Sequence, residues 1–131
     1  MILLDTHVWF WWVETPSALP ASLQAAIETA ETEAGIIVSV ASVWELALKT
    51  AAGRLHLSTD VTSWVGQASE YPGVVVENIS APDTIASTRL PGPLHKDPFD
   101  RLLIALARRL GVPLATVDQK LIDYPHVQTV G

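Results

Sequence analysis

The chain contains no cysteine, which excludes a disulfide framework and any zinc site built from thiolates. No apolar run approaches the roughly 18 residues that a bilayer-spanning helix needs. No basic leader precedes the first apolar residues, and Asp5 interrupts them, so a signal peptide is not expected and a cytoplasmic location is. Repeats, low-complexity tracts and linker-like stretches are also lacking, which points to one domain over 1–131. Positive charge is scarce: 8 Lys and Arg stand against 14 Asp and Glu. The net charge of −6 argues against tight, sequence-independent nucleic-acid binding through a basic surface. A nuclease is not excluded, because a metal held by clustered acids reverses the local sign. The acidic remainder suits a basic protein partner.

What is present is apolar sequence in two alternating patterns. Short continuous runs at 2–4, 36–38, 74–76, 114–117 and 127–130 read as strands, the first covered on both faces. Between them, 6–13, 20–33, 40–51, 60–70, 80–89 and 98–110 read as helices, with a further helical turn at 119–123. In 40–51 the apolar stripe is Val40, Val43, Trp44, Ala47, Leu48 and Ala51, which predicts that this face is buried. Strands alternating with helices imply an α/β fold, a parallel sheet of four or five strands between two helical layers.

Four acids, Asp5, Glu45, Asp100 and Asp118, lie far apart in the chain but beside buried-looking elements. Asp5 and Asp118 each close a predicted strand, where ligands gather in open parallel sheets. A buried carboxylate without a compensating charge costs several kcal/mol, and few basic residues lie near these acids in sequence. A shared divalent cation is the simplest compensation, and hard oxygen donors suit Mg²⁺ or Mn²⁺. Such a site supports phosphodiester hydrolysis by an activated water.

Each acid also has a purely structural explanation. Asp5 and Asp118 can cap the helices that follow them, and Asp97 can cap the helix that Pro98 opens. Glu45 has Lys49 four residues on, a surface pair worth about 0.2–0.5 kcal/mol. Asp100 shares a face with Leu103, Ile104 and Ala107, which makes it a better ligand than Asp97, a secondary candidate. Thr6 and Thr116 flank the acids and can orient carboxylates or serve as cap and filler.

The four histidines show no metal-binding spacing: His7 and His95 fall near the acids, and His56 and His126 look incidental. Lys49, Lys96 and Arg101 are the basic residues best placed to meet an RNA backbone, whereas Arg108 and Arg109 read as helix-dipole partners on a solvated face. The run Trp9-Phe10-Trp11-Trp12 puts rings all round one helix. One helix of a small domain does not readily bury all four, so Trp9, Trp11 and Trp12 become candidates for a partner or self-association surface.

Leu3-Leu4-Asp5-Thr6-His7, Ser42-Val43-Trp44-Glu45-Leu46, the stretch from His95 to Ala105 containing Asp97-Pro98-Phe99-Asp100-Arg101, and Thr116-Val117-Asp118 occur in that order. Together they resemble the motifs of PIN-domain nucleases, and more narrowly the VapC-type toxins of bacterial toxin–antitoxin pairs. The resemblance spans nearly the whole chain. It implies an Mg²⁺- or Mn²⁺-dependent endoribonuclease in which Asp5, Glu45, Asp100 and Asp118 match the acidic quartet and Asp97 belongs to the longer motif. It also implies a homodimer neutralised by a cognate antitoxin. Two other readings stay open: a catalytically silent module that keeps the acids for structure and acts through protein partners, and a receiver-type phosphoacceptor, which lacks a suitably placed late lysine.

Overall fold

The computed structural model describes residues 1–93 and 96–131. Strands β1 (Ile2–Leu4), β2 (Ile36–Ser39), β3 (Val74–Glu77), β4 (Leu114–Ala115) and β5 (Thr129–Val130) form one parallel sheet in the order β3-β2-β1-β4-β5. The helices are α1 (Thr6–Glu14), α2 (Ala21–Thr32), α3 (Val40–Ala51), α4 (Val61–Ser69), α5 (Ala81–Ser87), α6 (Pro98–Leu110) and the short α7 (Gln119–Ile122). This is the three-layer α/β/α architecture that the alternating runs predict. The sheet has five strands.

Alternation along the central strands divides the core. Ile2, Leu4, Ile36 and Val38 pack with Val8 and Trp9 of α1, Leu23 and Ile27 of α2, Leu46 of α3 and Trp64 of α4. Leu3, Ile37 and Leu114 face the other way, against Leu103, Ile104 and Leu106 of α6 and Leu121 of α7. β1 sits in the middle of the sheet and is buried at every position, which explains why its sequence is a continuous apolar run.

Local chemistry sets the helix ends. Asp60, Ser80 and Asp97 each accept a backbone N–H of the turn they open, and Ser80 with Asp83 completes a reciprocal capping box. Gly111 ends α6 in the left-handed region, at φ 67°, where a side chain would be strained. β4 and β5 are shorter than the apolar runs at 114–117 and 127–130 suggest. At Thr116 the hydroxyl accepts the N–H of Asp118, turning the chain out of the ladder and toward α7.

Two charged clamps fix the helices outside the core. Glu14 at the end of α1 accepts Trp64 Nε1 at 2.8 Å and Ser58 N at 2.7 Å, tying α1 to α4. Arg109 donates to both oxygens of the buried Asp83, at 2.7 and 3.0 Å, and lies 3.9 Å from Glu77. Arg109 therefore has a specific partner on α5, where the sequence suggested only a dipole contact; Arg108, exposed like Arg109, donates to His126 O.

The Arg109 hydrogen bonds, together with those from Ser80, hold the Asp83 carboxyl below its ordinary range against the opposing effect of burial. A depressed folded-state value contributes stability above the unfolded carboxylate range, and that stability is lost as pH falls through the depressed value. Asp83→Ala is expected to cost about 1–2 kcal/mol at neutral pH. Urea melts should show the gap to the native chain closing as the pH drops below the ordinary aspartate range. A gap that is flat with pH would remove the ion pair as its cause.

Candidate active-site cleft

β1 and β4 are neighbours in the sheet, so the residues leaving their carboxyl ends, Asp5 and Asp118, emerge side by side. α3 begins directly after β2, capped by Ser39, and carries Glu45 in its second turn. The first turn of α6 brings Asp100, with Asp97 as its cap. Asp5, Glu45, Asp97, Asp100 and Asp118 all line one cleft of about 170 Å³, together with Thr6, His7, Trp11, Lys49 and Val117. Four separate segments of chain thus supply five carboxylates to one concavity, and among its described lining residues the lysine is the single ammonium.

The capping explanation and the clustering both hold. Asp5 Oδ1 accepts Val8 N at 2.9 Å, Asp118 Oδ1 accepts Lys120 N at 3.0 Å, and Asp97 Oδ1 accepts the N–H groups of Phe99 and Asp100. A cap occupies one oxygen, and an ionised carboxylate offers about four acceptor positions, so capping fixes each group without exhausting it. The other oxygen of Asp5 accepts the hydroxyl of Thr116 at 2.5 Å. Thr116 is wholly buried, and because it also receives the N–H of Asp118 it braces two of the acids at once. Thr6 donates to Ser42 Oγ at 2.9 Å inside the protein, pinning α1 to α3 beneath the cleft.

Asp5 is only 6% exposed. Burial pushes its carboxyl above the ordinary range; Thr116, Val8 and His7 pull it back in part, and the charge of Glu45 adds to the rise. Glu45, 7% exposed, pairs with Lys49 Nζ at 2.9 Å. This pair is therefore a feature of the cleft wall and not the solvated helix pair that its spacing suggests.

The donor set suits a hard divalent cation. It consists of carboxylate oxygens from several elements, and burial holds one of them, Asp5, above its ordinary range. Among the described residues, no three acids or histidines stand close enough together to close a coordination shell as they are.

The basic candidates and the histidines differ in their surroundings. Arg101 is half-buried and donates to Ser87 O at 3.1 Å, joining α6 to α5. Lys96 is exposed just ahead of α6. His7 is exposed with Nε2 3.4 Å from Lys49 Nζ, His126 packs on Tyr124, and His95 lies outside the described residues.

Within the aromatic run, Trp9 corrects the expectation of a partner surface. Trp9 is fully buried, edge-on to Trp64 at 5.0 Å, and cannot touch a partner. Phe10 stacks on Trp64, Trp12 meets Tyr71 and Trp11 lines the cleft beside His7, each half-buried. One helix accommodates four rings because α4 and Tyr71 cover the sides that the sheet does not.

The stripe assigned to α3 is buried only in part, with Val43 packed against the core. Ala41, Ser42, Glu45 and Leu46 are buried, while Trp44 and Leu48 are 52% and 48% exposed. Ser42 was missed as a site residue; its signal was the polar spacing Ser42, Glu45, Lys49, at three and seven positions along one helix face. Trp11, hidden within the aromatic run, was missed as a cleft residue.

Comparison with known proteins agrees with this architecture. Residues 2–127 match the PIN domain family. Ribonuclease VapC22 of Mycobacterium tuberculosis is 34% identical over 131 residues, covering 98% of this chain and 95% of the relative. Among solved structures, VapBC2 from Rickettsia felis, bound to a promoter DNA fragment, superposes with a TM-score of 0.72 at 18% identity, covering 98% of this chain and 97% of that one. The Mycobacterium tuberculosis toxin VapC20, described as cleaving the sarcin–ricin loop, gives 0.66 at 14% identity with full coverage of both chains. Family match, curated relative and sheet order converge, and the chain belongs to the PIN domain family.

Proposed function

We propose that this protein is an Mg²⁺- or Mn²⁺-dependent endoribonuclease, the toxin of a type II toxin–antitoxin pair, acting on RNA in the cytoplasm. The observation that carries the reading is the gathering of Asp5, Glu45, Asp97, Asp100 and Asp118 around one cleft at the strand ends. The name of its 34% identical relative, a ribonuclease, supports the same activity.

Asp5 and Asp100 would hold the principal ion, with Glu45 and Asp118 completing its surroundings and Asp97 contributing secondarily. When bound, the cation supplies an acidified water and offsets charge on the departing oxygen. The chain's own part is positional. Thr116 and the Val8 N–H fix Asp5, Thr116 also sets the loop of Asp118, and the Thr6–Ser42 bond locks α1 against α3. Lys49 and Lys96 provide positive charge for the RNA backbone.

The partner would be a cognate antitoxin whose segment covers the cleft, and the toxin itself would be a homodimer. Solved relatives of the same fold include VapBC2 from Rickettsia felis and a toxin–antitoxin complex from Klebsiella pneumoniae. Trp44 and Leu48, exposed on the helix that carries Glu45, give such a segment apolar surface bordering the acids.

Purified protein incubated with structured RNA should cleave it in Mg²⁺ or Mn²⁺ and stop in EDTA. Asp100→Ala should lose about 10³-fold in rate, the scale of several kcal/mol of transition-state stabilisation. Intact RNA in either metal, from folded protein, would favour the silent binding module. Cleavage that persists in EDTA and in Asp100→Ala would place the activity at another site.

A further inference from the structure

Lys49 occupies an unusual position for a lysine. Its ammonium lies 2.9 Å from Glu45 Oε2 and 3.4 Å from His7 Nε2, at the wall of a cleft otherwise dominated by carboxylates. Glu45 is nearly buried, so without Lys49 its charge would be left uncompensated, at a cost of several kcal/mol. An ammonium and a divalent cation compete for the same lone pairs and repel each other across a few ångströms. Lysine is also the residue that can yield, because its four-carbon stem and three rotatable donors let the head group relocate at small cost.

We infer that Lys49 is an intrinsic counter-ion of the metal-free cleft, holding Glu45 until the cation arrives and then turning to a substrate phosphate. The inference rests on the metal-dependent reading above and adds a residue that opposes metal binding while favouring RNA. The two effects have opposite signs. A merely structural role for Lys49 would weaken both.

The test is calorimetric titration of the full chain with Mn²⁺, comparing the native protein with Lys49→Met and Lys49→Arg. Lys49→Met should bind Mn²⁺ about tenfold more tightly, the scale expected for removing one unit charge a few ångströms from the ion. Lys49→Arg keeps the charge and should stay near the native affinity. Without metal, Lys49→Met should melt below the native protein, and saturating Mn²⁺ should close that gap. The same variant should bind a labelled RNA oligonucleotide more weakly at saturating Mn²⁺, measured before turnover.

Folded Lys49→Met with unchanged or weaker Mn²⁺ affinity would overturn the inference while leaving the ribonuclease reading intact. Absence of Mn²⁺ binding in both native protein and variant would remove the metal-dependent reading, and this inference with it.

Discussion

Asp5→Asn is expected to give a folded protein that no longer cleaves RNA and, in EDTA at neutral pH, melts at a higher temperature than the native chain. The asparagine Oδ1 keeps the acceptor for the Val8 N–H, so the start of α1 survives, while its amide nitrogen replaces the oxygen that takes the Thr116 hydroxyl, which must turn to accept from it. What it removes is a negative charge 6% exposed, close to Glu45 and with no cation bonded to it in the described structure. The sign follows from the pKa. Burial raises the Asp5 carboxyl despite the Thr116 and Val8 bonds, so the folded state holds this proton more firmly than the unfolded chain does. That preference contributes stability below the ordinary aspartate range and is lost as pH rises through the raised value.

At neutral pH the native, metal-free protein therefore carries a destabilising buried charge that the variant lacks, and the variant's Tm should be the higher of the two. Acidification should narrow the difference as Asp5 takes up its proton. Mn²⁺ should reverse it, because the ion stabilises only a chain that binds it. Cleavage should fall about 10³-fold. Asp5→Asn melting below the native protein in EDTA at neutral pH would show that the carboxylate is better accommodated than its burial implies. This trade between stability and chemistry is what a cleft lined by several carboxylates predicts.

The sheet was legible because its signal is local. A continuous apolar run at Ile2–Leu4 closed by Asp5, and a helix opened by Asp97-Pro98 and stopped by Gly111, say in a few residues what each segment becomes. Asp5 and Asp118 were placed at one end of the sheet by the same logic, since parallel strands point their carboxyl ends the same way. α3 shows where that logic stops. Its larger apolar residues, Trp44 and Leu48, are exposed, and its buried face is Ala41, Ser42, Glu45 and Leu46. Hydrophobic periodicity assumes that the core claims the greasiest face. Here the buried face includes Ser42, bonded to Thr6 of α1, and Glu45, which lines the cleft. Trp9 misled for the complementary reason: its burial depends on Trp64, 55 positions later in sequence, which no local pattern reports. Arg101 and Arg109 likewise found partners on α5 that spacing does not encode.

Trp9 and Trp44 should therefore behave as opposites under the same substitution. Trp9→Ala opens a cavity under β1 and α4, where the indole is fully enclosed, and should cost about 3–5 kcal/mol. Against a total stability of about 5–15 kcal/mol, that threatens folding at ordinary growth temperatures. Trp44→Ala removes a ring that is half in solvent and touches Phe99 edge-on at 5.0 Å, so the melting temperature should move little, within about 0.5 kcal/mol. Its effect should appear in association. An exposed tryptophan beside an exposed leucine on the helix that bears Glu45 is the kind of anchor whose loss costs about 2 kcal/mol or more, a drop of over tenfold in affinity for the antitoxin. Thermal melts and antitoxin titrations of the two variants, with Trp11→Ala as a third, separate core from surface. If Trp44→Ala binds the antitoxin as the native protein does while Trp11→Ala does not, the docking surface lies along α1 after all. Stable, folded Trp9→Ala would show that the packing between α1 and α4 is not what holds that face of the sheet.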